Sequence, residues 1–256
     1  MGDAVTKILS EVKQQGRLIL TEVESKEVLK SYGIKTSTGY VATDSDTAVT
    51  VAAWLGYPVA MKILSPDISH KSDAGGVKVN LDSPEAVRTA FAEIMGNAKS
   101  YKPDAVIQGV LVDKMVTEGV ELVIGGSFSR QFGHAVMFGL GGVFVEVAKD
   151  VVFRLAPLTQ EESLDMIKEI RGRRILENFR GKPAVDVHAV ADVIRKLSLL
   201  ITDHPEILEV DLNPVIASAS GSVVVDARIA MGEPKRIAET VYTSEEIVAG
   251  MKRIFS

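Results

Sequence analysis

The chain has 256 residues, of which 46% are hydrophobic and 25% are charged, and its formal net charge is −5. A chain of this length buries a substantial core, either as one large domain or as two small ones. The acidic balance, without a long basic run, argues against nucleic acid as the main partner. The absence of cysteine excludes disulfides and cysteine-ligated metals. Because no apolar run approaches the roughly 18 residues that span a bilayer, we expect a cytoplasmic protein without a membrane partner.

The first part of the chain alternates predicted helices with predicted strands. Thr21 precedes one helix as its N-cap, and Ser83-Pro84-Glu85 places a serine cap, a first-turn proline and an acidic residue before another. Glycines close several of these helices. The predicted helices are 4–14, 22–32, 47–55 and about 84–100, and the predicted strands are 39–43, 59–64 and 77–81.

The second part of the chain begins with a series of strands. The strands are predicted at 105–116, 119–128, 135–138, 144–147 and 151–155, and helices are predicted at 160–170, 187–201 and 244–255. We interpret the change of character near Val112 as a boundary between two subdomains. The predicted subdomains are 15–112 and 113–235, followed by a helical tail, 236–256.

The stretch 57–81 combines three features that suit phosphate chemistry. Lys62 lies on a strand with a period-2 pattern, His70 lies in a polar loop, and Gly75 and Gly76 open the next strand. Glycines at such a point let backbone N–H groups approach an anion closely. An ordinary hairpin with a surface loop remains the alternative interpretation of these residues.

A second hairpin is predicted from two alternating segments, 209–214 and 223–228, with a four-residue turn at 218–221 between them. In this register the paired residue numbers sum to about 439. Asn213 then lies opposite Asp226, and Asp211 lies opposite Arg228. Directly paired side chains in an antiparallel ladder are roughly 5 Å apart at Cβ, close enough for one cation to bridge two oxygens.

The polar face of this hairpin suits a hard cation. Its members are Glu209, Asp211, Asn213, Asp226 and Arg228. Carboxylate and amide oxygens are typical ligands of Mg²⁺, which completes its shell with phosphate and water. The alternative is a plain cross-strand ion pair between Asp211 and Arg228. Val223 and Val225 are expected on the opposite, apolar face.

With these segments in order, the chain resembles an ATP-grasp domain. More specifically it resembles the β subunit of ADP-forming acyl-CoA synthetases, such as the ADP-forming acetate–CoA ligase, in the superfamily of the succinyl-CoA synthetase β subunit. The resemblance implies an α/β (α+β) fold, the ATP-grasp fold, with a nucleotide bound between two subdomains. The segments that carry it are PVAMKILSPDISHKSDAGGV, FGHAVMFGLGGVFVEVAKDVVFRLAPL, EVDLNPV and VVVDARI.

The resemblance also implies roles for particular residues. Lys62 would contact the nucleotide phosphates, and a turn that includes Ser72, Gly75 and Gly76 would close over them. Glu121 would hold the ribose hydroxyls. The strand that meets adenine through backbone groups would be Asp113, Lys114, Met115 and Val116.

Two further roles follow from the same resemblance. Asn213 and Asp226 would bind Mg²⁺ with help from Asp211 or Glu209. His70 would be a phosphohistidine that carries a phosphoryl group between ATP or ADP and a histidine of a partner subunit.

The implied reaction is acyl-CoA + ADP + phosphate ⇌ acid + CoA + ATP. Phosphoryl transfer depends on positioning and charge neutralisation, which lysine, backbone N–H groups and Mg²⁺ supply. Because the chain lacks an evident CoA-binding unit, we expect a CoA-binding α subunit as partner, in an α2β2 heterotetramer. Two alternatives stay open, a stand-alone ATP-grasp carboxylate ligase that makes an acyl phosphate and a non-catalytic nucleotide-sensing module.

Overall fold

The computed structural model describes residues 2–142, 150–178 and 183–234, and their side chains from residue 4 onward. The predicted strand 144–147, the terminal helix 244–255 and the tail 236–256 lie outside these residues. None of the described helices is both long and apolar enough to cross a membrane.

The predicted elements are largely confirmed within the described residues. Three predicted strands, 59–64, 77–81 and 151–155, have the same first and last residues in the structure. A short 3₁₀ helix, Arg171–Ile175, follows α5. The helices are α1 (Gly2–Gln14), α2 (Glu22–Ser31), α3 (Ser45–Leu55), α4 (Pro84–Tyr101), α5 (Gln160–Glu169) and α6 (Val187–Asp203). The strands are β1 (Gly39–Ala42), β2 (Val59–Leu64), β3 (Val77–Leu81), β4 (Gly109–Lys114), β5 (Val120–Ser129), β6 (Gly133–Leu140), β7 (Val151–Leu155), β8 (Ile207–Ser218), β9 (Gly221–Val224) and β10 (Ala227–Met231).

The chain forms two compact units, whose bounds differ from those of the predicted subdomains. One unit is residues 37–117, and the other combines 1–36 with 118–256. The first 36 residues join the second unit because α1 and α2 bury their apolar side chains, such as Val5 and Leu29, in its core. Sequence order alone suggested a simple division near residue 112, since it does not reveal this long-range packing.

Backbone hydrogen bonds also attach the start of the chain to this unit. Leu20 N donates to Ile229 O (3.0 Å), and Met231 N donates to Leu18 O (2.7 Å). These bonds lie along the outer edge of β10, and they pair backbone N–H and C=O groups that an edge strand would otherwise leave without a partner.

The unit 37–117 is an antiparallel sheet with strand order β1-β4-β2-β3. Helices α3 and α4 cover one face of the sheet. Met61, Val112 and Ile94 are fully buried in the resulting core. Because successive strand residues point to opposite faces, Lys62 and Leu111 lie on the face away from these helices.

The second unit is a six-stranded antiparallel sheet with order β10-β8-β5-β6-β7, and β9 also pairs with β8. Helices α5 and α6 cover one face. Val210, Ile124 and Phe138 point into the core beneath them and are fully or almost fully buried. The opposite face therefore carries the alternate residues of each strand.

The start of α2 is stabilised by a capping box tied to an arginine. Thr21 and Glu24 cap each other's backbone N–H groups, with Thr21 N to Glu24 Oε2 at 2.7 Å and Glu24 N to Thr21 Oγ1 at 3.3 Å. Arg17 donates two hydrogen bonds to the same carboxylate, at 2.6 and 3.0 Å. Partial burial raises the pKa of Glu24, but the hydrogen bonds from Arg17 and Thr21 outweigh it and hold the pKa below its ordinary value.

We expect Glu24→Gln to lower the free energy of unfolding by about 1–2 kcal/mol at pH 7, since charged hydrogen bonds to Glu24 are lost. A lowered folded pKa stabilises the fold above the ordinary pKa of about 4.3 and loses that effect as the pH falls. The difference between Glu24→Gln and the wild type should therefore shrink between about pH 5 and pH 3 in denaturant titrations. Glu27→Gln, which alters an exposed pair with Lys30 on the same helix, is the control. A difference in the free energy of unfolding that does not change with pH would contradict the lowered pKa of Glu24.

Candidate functional site

Lys62 and Asp113 form a buried ion pair on the helix-free face of the first sheet. Lys62 Nζ lies 3.1 Å from Asp113 Oδ2, and the two residues are only 4% and 1% exposed. Asp113 pairs with Ala60 across β2 and β4, so Lys62 is the next residue along β2 on the same face. The structure thus gives the side chain of Asp113 a contact that the sequence did not predict, since only its backbone was considered there.

A glycine makes room for the Asp113 carboxylate. Gly39 pairs with Asp113 across β1 and β4. A Cβ atom at Gly39 would lie 1.9 Å from Asp113 Oδ1 and 2.9 Å from Val112 O, distances that real Cβ atoms do not show. Any larger residue at this position would displace the carboxylate.

His70 lies on an exposed segment whose two ends are anchored. Ile68 before it and Ala74 after it are buried in the core of the unit 37–117, whereas His70 itself is exposed. Asp67 Oδ2 accepts a hydrogen bond from Val106 N at 2.7 Å. The segment between these anchors thus presents the imidazole to solvent.

The second anchor depends on two glycines. Gly75 has φ +60°, and a Cβ there would lie 2.8 Å from Asn97 Nδ2, which donates to Gly75 O at 3.0 Å. A Cβ at Gly76 would lie 2.5 Å from Ile63 Cγ2. Ser72 is exposed and its carbonyl accepts a hydrogen bond from Gly75 N at 2.9 Å. The predicted turn therefore exists, and it needs glycine for space and for conformation.

The predicted adenine-binding strand follows Asp113 at the end of β4. Lys114 Nζ donates to Gly56 O at 2.5 Å, and Met115 N donates to Pro58 O at 3.4 Å. Val116 is partly exposed. The side chain of Lys114 is thus directed to the loop between α3 and β2.

Strand pairing places Glu121 and Asp211 on the same face of the second sheet, the one without helices. Asp211 pairs with Gly125 of β5, and alternation along β5 brings Glu121 to the same side. Glu121 is exposed. A Cβ at Gly142 would lie 3.0 Å from Glu121 Oε2, so the glycine-rich turn after β6 passes close to this carboxylate.

The predicted register of the carboxylate–amide hairpin is confirmed. Arg228 pairs with Asp211 on one side, and Val224 pairs with Val215 on the other, both in the expected register. Val225 N also donates to Pro214 O at 3.0 Å. Asn213 and Asp226 lie opposite each other between these two ladders.

A bulge separates the two ladders. Leu122 pairs with Val215 and Ile124 with Leu212, so a single residue of β5 faces both Asn213 and Pro214 of β8. The buried face of β8 accordingly changes parity, from Val210 and Leu212 to Val215 and Ala217. On the neighbouring strand β9, Val224 is fully buried. The expectation that Val223 and Val225 lie on the apolar face is therefore wrong, because a one-residue bulge reverses the two faces of the hairpin. The bulge directs both residues of the Asn-Pro step toward the helix-free face.

The cross-strand ion pair on this face is not the one considered from sequence. Arg228 Nη1 lies 2.5 Å from Glu209 Oε1, diagonally across the ladder, whereas its direct neighbour is Asp211. No group of three or more His, Cys, Asp or Glu side chains within the described residues is arranged to hold a metal ion. The amide of Asn213 and the carboxylate of Asp226 are nevertheless hard oxygen donors, which fit a cation that takes its other ligands from phosphate and water.

An apolar patch beside the polar residues was missed by the sequence analysis. Ala135 and Phe153 are buried on the same sheet face, and Met137, Val151 and Leu155 pack against them. Strand register connects Met137 through Gly125 to Asp211. Alternation along β6 and β7 could have identified this patch, because both faces of those strands are apolar.

Residues 11–231 match the ATP-grasp domain family. The chain is 48% identical to the β subunit of ADP-forming acetate–CoA ligase I of Pyrococcus furiosus, over 87% of this chain and 96% of that protein. The corresponding subunit of ligase II from the same organism is 47% identical, over 89% and 98%.

A solved structure is also similar. A chain of acetyl-coenzyme A synthetase 1 from Ca. Korarchaeum cryptofilum, in complex with coenzyme A and Ca-AMPCP, is 46% identical, with a TM-score of 0.85. The match covers 88% of this chain and 99% of that chain. Other structures of that synthetase contain a phosphorylated phosphohistidine segment, or Mg-AMPPCP with the segment pointing towards the nucleotide-binding site.

We expect Asp67→Ala to loosen the segment around His70, because Val106 N loses its acceptor and Lys102 loses its ion-pair partner. Hydrogen exchange measured by mass spectrometry should become faster in peptides that cover 65–76 and stay unchanged in α4. Asp73→Ala, at an exposed position within the segment, is the matched control. Equal exchange in both variants would show that Asp67 does not anchor the segment.

Proposed function

Because the chain belongs to the ATP-grasp family, among the β subunits of ADP-forming acetate–CoA ligases, we propose that it catalyses phosphoryl transfer in an ADP-forming acyl-CoA synthetase. The overall reaction is acyl-CoA + ADP + phosphate ⇌ acid + CoA + ATP. The observation that carries the proposal is the exposed imidazole of His70 on a segment anchored at both ends, in the same unit as a buried lysine. Its relative from Ca. Korarchaeum cryptofilum has a phosphohistidine segment.

The proposed relay uses His70 as the nucleophile. In the ATP-consuming direction a ring nitrogen of His70 forms a bond to the γ-phosphorus while the bond from that phosphorus to its bridging oxygen breaks. ADP leaves with the electron pair. A segment held at Ile68 and Ala74 but exposed between them supports this role, since the imidazole has to meet both a nucleotide and a second acceptor.

Lys62 supplies positive charge to the transferred phosphates, and the turn with Ser72, Gly75 and Gly76 lies next to His70 in the chain. In phosphoryl transfer, catalysis comes mainly from positioning and from neutralising charge on the phosphate oxygens. The Asp113–Val116 strand would meet the adenine base, and Glu121 would accept hydrogen bonds from the ribose hydroxyls.

Asn213 and Asp226, with Asp211 nearby, would hold Mg²⁺. The bound ion would neutralise charge on the nucleotide phosphates. Strand alternation supports this assignment, because Asn213 follows Asp211 by two residues along β8 and so lies on the face that carries the carboxylates. The two protein donors leave most of the coordination shell to phosphate and water, as is usual for Mg²⁺.

A CoA-binding α subunit would complete the enzyme. The similar subunits from Pyrococcus furiosus are named as β subunits, which supports a partner of this kind. The assembly that we propose is an α2β2 heterotetramer, located in the cytoplasm. Acetate would be among the acids that it uses. Incubation of this chain with a candidate α subunit, followed by size-exclusion chromatography with light scattering, tests the stoichiometry.

We expect the chain incubated with Mg²⁺ and γ-³²P-ATP to acquire a label that is stable to base and labile to acid, the behaviour of phosphohistidine. His70→Asn should abolish the label, since no nucleophile remains at that position. His188→Asn removes another exposed histidine and should leave labelling unchanged. Labelling that persists in His70→Asn would contradict the relay, and a failure to label the wild type even with the α subunit present would contradict the proposed function.

We expect Asp226→Asn and Asn213→Ala each to raise the Mg²⁺ concentration required for labelling by at least tenfold, since the first removes the negative charge of one ligand and the second removes an oxygen ligand. The measurement is the Mg²⁺ concentration that gives half-maximal labelling at a fixed ATP concentration. Asp165→Asn, on the exposed side of α5, is the control. An unchanged Mg²⁺ dependence in both site variants would exclude these residues as ligands.

A further inference from the structure

The side chain of Asn97, on α4, has a role that the proposed function leaves open. Asn97 Nδ2 donates a hydrogen bond to Gly75 O at 3.0 Å, so α4 is attached to the end of the segment that carries His70. Resting on the assignment of His70 as the phosphoryl carrier, we propose that Asn97 is a positioning residue that holds this segment in its exposed position until transfer. Asn97 acts through Gly75 and need not touch the nucleotide.

The turn between the two anchors of the segment is closed by its own hydrogen bonds. Gly76 N donates to Lys71 O at 2.8 Å, and Gly75 N donates to Ser72 O at 2.9 Å, with Gly75 at φ +60°. These two bonds are those of a Schellman motif, in which a glycine of positive φ ends a helical turn. The turn therefore has a defined shape that does not depend on the sheet beneath it.

The same turn connects the Asn97 contact to the imidazole. Ala74 N donates to His70 O at 3.3 Å, and Ala74 is followed directly by Gly75, whose carbonyl accepts the bond from Asn97. Because the internal bonds keep the turn in one shape, the backbones of His70 and Gly75 move together. Fixing the Gly75 carbonyl thus fixes the position from which the imidazole projects.

Beyond Gly75 the chain is fixed by the sheet. Ile63 N donates to Gly76 O at 2.7 Å, and a Cβ atom at Gly76 would lie 2.5 Å from Ile63 Cγ2. This attachment joins two backbones beside the core, whereas Asn97 is an exposed side chain. A single hydrogen bond changes an equilibrium on the order of two- to tenfold, so the attachment from Asn97 can break and form again readily. The two glycines let the backbone rotate between the fixed and the movable part.

The exposed position of His70 differs from the one that transfer requires. A phosphate that meets the Lys62 ammonium would lie in enclosed surroundings, because that side chain is only 5% exposed, whereas His70 of the same unit is at the surface. Structures of the similar synthetase from Ca. Korarchaeum cryptofilum hold the phosphohistidine segment in a site I orientation in one case and pointing towards the nucleotide-binding site in another. The bond from Asn97 therefore has to break before the imidazole meets the γ-phosphorus.

The experiment follows the rate at which γ-³²P-ATP with Mg²⁺ labels His70 of the full chain, and the rate at which the labelled chain returns the phosphoryl group to Mg-ADP. Because the segment has to leave its exposed position in both directions, we expect Asn97→Ala to accelerate both by about two- to tenfold. Asn97→Asp keeps the shape of the side chain but replaces the N–H donor with an acceptor, so it should accelerate both rates at least as much. The dissociation constant of Mg-ADP, measured by calorimetry, should stay at the wild-type value.

Ser100→Ala removes a hydroxyl that bonds to Gly96 within α4 and should show the wild-type rates. A purely structural role of Asn97 would change thermal stability or nucleotide binding and leave the two rates alone, and thermal melts followed by circular dichroism measure that stability. Unchanged or slower rates in both Asn97 variants, with His70 still labelled, would overturn this inference and leave the proposed function standing. A wild-type chain that is never labelled at His70 would overturn the proposed function instead.

Discussion

Helices cover each sheet on one face only, and the rest of the structure depends on this constraint. In both units helices pack on one side of an antiparallel sheet, so one alternate set of apolar residues from each strand faces that side. Alternation then directs the remaining residues to the other side. Lys62 and Asp113 occupy that side in one unit, and Glu121, Asp211 and Asn213 occupy it in the other. Polar groups are thereby gathered on faces that do not contribute to either helix-covered core.

Burial makes these polar groups interdependent. An exposed lysine would need no partner, but one that is only 4% exposed is strongly disfavoured as a charge unless a carboxylate accompanies it. Gly39 is in turn required beside that carboxylate, because any side chain would occupy its place. The buried ion pair of Lys62 thus involves residues of three strands, β1, β2 and β4.

The segment around His70 combines fixed ends with an exposed centre. Ile68 and Ala74 are buried, and Asp67, Asn97 and the two glycines attach the flanking backbone. Removing these contacts would cost only local stability, whereas the core of the unit would remain. A segment of this design can present its imidazole without disturbing the sheet beneath it.

The sequence by itself determined the strands around Lys62, the exposed loop with His70 and the register of the carboxylate–amide hairpin. These features depend on local signals, since hydrophobic alternation and turn residues act over a few positions. Only the tertiary structure decided that the first 36 residues join the second unit, that Asp113 pairs with Lys62, and that a bulge at Asn213 reverses the faces of β8. Each of these depends on contacts between residues far apart in the chain, and the pattern of one segment does not specify which distant segment will pack against it.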